Sequence, residues 1–114
     1  MLNDKEYTYF NNMQSLIKHR LNIGVSIFAA DHATMFPQGE TILGCCHKFT
    51  DSSGNPAGIF ITIDENHIRE CFYLHKDLFL AETICHEIAH LFIWDHGKQH
   101  DLLTQDFMYF AGFW

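Results

Sequence analysis

The stretch "ICHEIAHLFIWDHGKQHD", residues 84–101, decides the reading of this chain. It holds four of the nine histidines, His86, His90, His96 and His100, and sets Glu87 inside the first pair. Leu80, Ile84, Ile88 and Leu91 recur at helical spacing, which predicts a helix over residues 77–94 with Asp77 as its N-cap. His86, Glu87 and His90 then form HExxH on one helix. Side chains four apart share a helix face, so both imidazoles can reach one ion. Neutral imidazole is a common zinc ligand. Glu87 is turned about 100° further round, beside such an ion rather than on it, where a carboxylate can take a proton from water.

A catalytic zinc takes three protein ligands and keeps an open position. His96 is the preferred third ligand, because Asp95 and Gly97 supply a turn that brings it back, and HExxH-x5-H is a zinc-ligand spacing. His100, one helical turn beyond His96, competes for the same place. A lone HExxH is weak evidence. This one lies in an apolar stretch, where idle polar groups are costly, and a further histidine follows at ligand spacing.

Outward from this segment the elements alternate. Asn3 or Asp4 can cap a helix over residues 4–21, with Phe10, Met13, Ile17 and Leu21 along its stripe. Residues 22–30 read as a strand, 31–40 as a loop, 41–49 as a second strand, 50–58 as a turn and 58–63 as a third strand, hairpinned with the second. Residues 64–77 fit either a short helix or an irregular crossing. A last helix covers residues 98–110, and the aromatic "FMYFAGFW" that ends the chain is expected to close the core beneath it. This order gives an α+β fold: an N-terminal helix, a small three- or four-stranded antiparallel or mixed sheet, the HExxH helix and a C-terminal helix. With 114 residues, 47% of them hydrophobic, the expectation is one domain over residues 1–114.

Charge and cysteine usage narrow the function. Lys plus Arg total 7 against 14 Asp plus Glu, a net charge of −7. Residues 71–114 carry only Lys76 and Lys98 against six acidic side chains. Affinity for a phosphate backbone comes from clustered cations, so tight DNA binding by this chain is not expected. No apolar run approaches a membrane span, and the charged first residues do not resemble a signal peptide. The expected location is the cytoplasm. Cys45, Cys46, Cys71 and Cys85 contain no CxxC pair and read as free, packed thiols. His19, His32, His47, His67 and His75 are scattered and read as surface or satisfied core.

"ETICHEIAHLFIWDHGKQH" resembles the SprT-like and WLM metallopeptidases, small HExxH zincins of the minimal gluzincin-like type. His86, Glu87, His90 and the "HG" of His96–Gly97 match position by position. The motif-level likeness covers residues 59–107, and the first half matches in element order alone. Ile93 stands where a metzincin needs glycine, which excludes that branch. His100 stands where an aromatic is frequent, and neither a CxxC ribbon nor a basic tail accompanies the motif. The resemblance implies a zincin-like fold, one Zn2+ per chain and hydrolysis of a protein or peptide substrate with Glu87 as general base. His100, His75, Tyr73 and Tyr109 are open candidates for stabilising the oxyanion. Two other readings stand beside it: a noncatalytic zinc-stabilised protein-binding module, and a zinc hydrolase of nonpeptide amides.

Overall fold

The computed structural model describes residues 1–37 and 41–114. The first helix, α1, spans Asp4–Leu21. Asn3 caps it, its side chain accepting from the Glu6 amide while the Glu6 carboxylate accepts from the Asn3 amide. This reciprocal pair satisfies two backbone donors that a helix start leaves free. The expected stripe faces inward: Phe10 and Ile17 are buried, and Met13 and Leu21 pack at the edge of the core.

Three strands form one sheet: β1 (Ser26–Ala30), β2 (Gly44–Thr50) and β3 (Pro56–Asp64). Their order is β1-β3-β2. β3 runs parallel to β1, from Ser26 opposite Phe60 to Ala30 opposite Asp64. It runs antiparallel to β2, from Gly44 opposite Ile63 to Thr50 opposite Pro56. The expected hairpin of second and third strands is therefore present, and the sheet is mixed. Being central, β3 is buried on both faces from Ile61 to Asp64. Ile61 and Ile63 enter the main core. On the other face the Thr62 hydroxyl lies 2.7 Å from Nε2 of both His32 and His47.

The loop expected over residues 31–40 is corrected in part. His32–Met35 form a short helix, α2, capped by Asp31; residues 38–40 of that loop lie outside the described residues. Both strands flanking it start later than expected, at Ser26 and Gly44. The ambiguous segment is helical: α3 spans Glu65–Tyr73. It stops in a left-handed residue, His75 at φ 56°, and the Lys76 amide bonds back to the Cys71 carbonyl, a Schellman-type ending.

Helix α4 spans Asp77–Ala89 and α5 spans Lys98–Phe110. Leu80, Ile84 and Ile88 are fully buried, and α4 packs on α5, β2 and β3. Two sequence expectations are corrected here. Lys76, without a side-chain cap bond, precedes α4 where Asp77 was expected to cap it. The helix also ends at Ala89 rather than at Trp94. Past that point the amides of His90, Leu91 and Phe92 bond to the carbonyls of Glu87, Ile88 and Ala89, the tighter three-residue spacing in which helices often close. At the C-terminus Met108 and Ala111 are buried, whereas Tyr109, Phe110 and Trp114 are exposed. The aromatic tail thus closes the core only in part. Ile84→Ala, which removes a fully buried side chain from α4, is expected to cost about 2–5 kcal/mol in urea unfolding.

Candidate metal centre

His86 sits on the last turn of α4 and His90 is the residue that caps its C-terminus, with ring centroids 5.0 Å apart. The early end of α4 turns the following residues back over that face. His96 Nε2 comes to 3.3 Å from His86 Nε2 and 3.1 Å from His90 Nε2. The expected bend at residues 95–97 is present, but it does not depend on glycine. Gly97 is extended, with φ 163° and ψ −171°, and a Cβ there would meet nothing within 4 Å.

His100 enters the same cluster from the first turn of α5. It is fully buried, its ring stacked on His90 at 4.0 Å and set edge-on to His86 at 4.3 Å. Its Nε2 donates to the His86 backbone carbonyl at 2.9 Å. That bond fixes the tautomer and leaves a lone pair on Nδ1, which is buried with no hydrogen-bond partner among the described residues. His86, His90 and His100 each offer a ligand atom within 4.8 Å of the others, a group that could hold a metal ion.

The chemistry of these donors fits a cation. At His90, Nδ1 donates to the Ile93 carbonyl at 3.1 Å, so Nε2 keeps its lone pair toward His96. Metal-ligating histidines are commonly oriented by such a bond on the far nitrogen. Burial, with the neighbouring imidazoles His100, His90 and His96, pushes His86 down to about 4, and burial lowers His90. Both rings are therefore neutral at physiological pH, the state that ligates. Three nitrogens about 2.0–2.1 Å from a tetrahedral zinc lie roughly 3.3–3.4 Å apart. The two contacts of His96 Nε2 are close to that spacing. A hydrogen-bonded reading strains, because one Nε2 faces two others at once and a neutral ring has a single N–H.

Glu87 points beside the cluster. It is 5% exposed, with Oε2 3.9 Å from His86 Nε2. With His86 neutral this is not an ion pair. Burial alone pushes the Glu87 carboxyl up to about 7, into the range that suits a general base. A cavity of about 400 Å³ opens over Glu87 and the three histidines of α4 and its turn, walled by Gly44, Cys45, Cys46 and Trp94.

That wall was not legible in the sequence. Cys45 and Cys46 both line the cavity, although alternate strand residues face opposite ways; each thiol is pushed up by burial first and the Glu87 charge second, Cys46 to about 11. They are thiols at neutral pH rather than thiolate ligands. Trp94 carries Lys48 Nζ 4.0 Å over its ring. Three of the oxyanion candidates lie elsewhere. Tyr73 donates to Glu6 at 2.9 Å, His75 lines a separate cavity with Asn3 and Tyr9, and Tyr109 is 65% exposed beside Phe110. Of the scattered histidines, His32 and His67 are buried and satisfied, the latter by Thr83 Oγ1 at 2.8 Å.

No family model matches this chain, and neither a curated protein nor a solved structure does. Among the described residues no helix is long and apolar enough to cross a membrane, and all four cysteines are free.

Proposed function

We propose that this chain is a zinc-dependent, metallopeptidase-like hydrolase, with His86, His90 and His96 as ligands and Glu87 as general base. The observation that carries the reading is the pair of Nε2 separations, 3.3 and 3.1 Å, converging on His96 beside a buried carboxylate. His100 is assigned a supporting place, since its Nε2 is committed to the His86 carbonyl and holds the ligand-bearing turn against α5. Zinc held by the three histidines supplies a Lewis acid that polarises a carbonyl and makes water acidic enough to attack near neutral pH.

The protein's own part falls on Glu87. Its ionised carboxylate accepts a proton from the attacking water as the new C–O bond forms. The same proton passes to the departing amine nitrogen as the C–N bond breaks, which returns Glu87 to its starting state. The noncatalytic module is disfavoured because a buried carboxylate raised to about 7 by desolvation is costly to keep without a use. Protein or peptide is the proposed substrate, and the free cysteines fit a reducing compartment such as the cytoplasm. The test is hydrolysis of a denatured protein against small nonpeptide amides, with and without chelator. Chelator-sensitive cleavage of the protein alone is the expected result.

DNA is not the proposed partner. Lys48, Lys76 and Lys98 are scattered, and the net charge is −7. Fluorescence anisotropy with single-stranded DNA at physiological salt is expected to show no binding at micromolar protein. Tight binding that weakens steeply with salt would contradict this.

A further inference from the structure

Gly44 opens β2 directly opposite Glu87, and its missing side chain is what the carboxylate occupies. A Cβ at Gly44 would lie 2.9 Å from Glu87 Cγ, 3.0 Å from Glu87 Oε2 and 3.1 Å from Thr83 Cγ2. Real Cβ atoms do not tolerate the first of these, so something must move. We propose that Gly44 is a positioning residue for Glu87: the glycine gives the carboxylate its place between the edge strand and the histidines. The proposal rests on the hydrolase reading for its kinetic consequence and on geometry alone for its structural one.

Three observations separate this from an ordinary turn glycine. First, Gly44 is not in the left-handed region, so its conformation does not demand glycine; close approach does. Second, its backbone is fixed. Gly44 pairs with Ile63, and the adjoining Leu43 carbonyl accepts from the Asp64 amide at 2.8 Å. Third, no hydrogen bond from a described residue anchors the Glu87 carboxylate, whose Oε2 lies 3.9 Å from the neutral His86 ring. An added methyl presses on Glu87 and on Thr83 Cγ2. Thr83 is held by His67 and the Phe79 carbonyl and the strand by its pairing, so the unanchored Glu87 side chain is the group that gives. The three atoms nearest that methyl position belong to Glu87 and Thr83, none of them to a histidine. Gly44, His86 and Glu87 also line a second cavity of about 340 Å³ beside the first. Gly44 thus lies where the two meet, and a methyl that merely obstructed substrate would raise KM instead of lowering kcat.

The experiment compares zinc-loaded wild type, Gly44→Ala, Glu87→Gln and the double variant. Gly44→Ala is expected to keep its fold and zinc content, and to lose about 10–100-fold in kcat with KM little changed, as for a misplaced reacting group. On the Glu87→Gln background it is expected to cost nothing more in kcat, because its kinetic effect runs through the placement of that carboxylate. Crystal structures of wild type and Gly44→Ala are expected to show Glu87 in a new rotamer with β2 and the histidines in place. A further loss in the double variant, a rise in KM alone, or a displaced β2 with Glu87 unmoved overturns the proposal. If wild type turns over no substrate the hydrolase reading falls, and the crystal comparison alone decides the role of Gly44.

Discussion

Glu87→Gln is expected to keep zinc at one ion per chain and to lose about 10²–10⁴-fold in kcat, the usual contribution of a positioned acid–base group. The amide matches the carboxylate in shape but cannot accept the water proton. Glu87 is placed to act this way because it stands beside the histidines, with Oε2 3.9 Å from His86 Nε2 and the side chain buried. The pH profile follows from the same residue. A protonated carboxyl is no base, so turnover rises with pH as Glu87 ionises. Burial places that ionisation near 7 in the chain without metal. A bound dication favours the charged form, so the acid limb of the active enzyme is expected below about 7 and absent from any residual activity of Glu87→Gln. Loss of zinc in this variant would make Glu87 a ligand and remove the mechanism.

The second large effect concerns the histidines. His86→Ala, His90→Ala and His96→Ala are each expected to abolish stoichiometric zinc binding at micromolar metal, read by competition with a chromophoric chelator. His100→Phe, which keeps bulk at a fully buried position but removes the donor to the His86 carbonyl, is expected to weaken binding by about 10–100-fold, as for groups that orient a ligand from behind. If His100→Phe abolishes binding and His96→Ala does not, the third ligand is His100 through the lone pair of its unpartnered Nδ1. Removing zinc from wild type is expected to lower the melting temperature without unfolding the chain, since the apolar core from Phe10 to Ala111 includes none of the ligands. At free zinc 100-fold above Kd the difference is about 2.7 kcal/mol, or roughly 10 °C in a domain of this size.

The ligand helix was readable because its signal is local: three core positions at helical spacing, Leu80, Ile84 and Ile88, with HExxH around the last of them. Its end was not. The apolar run Leu91–Trp94 continues the helical pattern, yet those residues serve the turn that returns His96, and the Ile93 carbonyl receives His90 Nδ1. Tertiary partners there outweigh periodicity. The segment at 64–77 was ambiguous for a related reason. Asp64, at the N-cap of α3, makes no side-chain cap bond and instead accepts the His32 amide at 3.2 Å. Pairing of β1 with β3 is parallel and passes over β2, which no single strand encodes. Spacing favoured His96 over His100, but it could not show that both follow the break and both return to the cluster. Gly44 carried one faint signal, a glycine inside the stretch read as the second strand, and nothing in the sequence shows what approaches it.

The central claim is most directly tested by diffraction from zinc-loaded crystals at the zinc absorption edge. The expected map shows one anomalous peak per chain, about 2.0–2.1 Å from Nε2 of His86, His90 and His96, with Glu87 outside bonding distance. No peak, or a peak bound by His100 or Glu87 in place of His96, would contradict it.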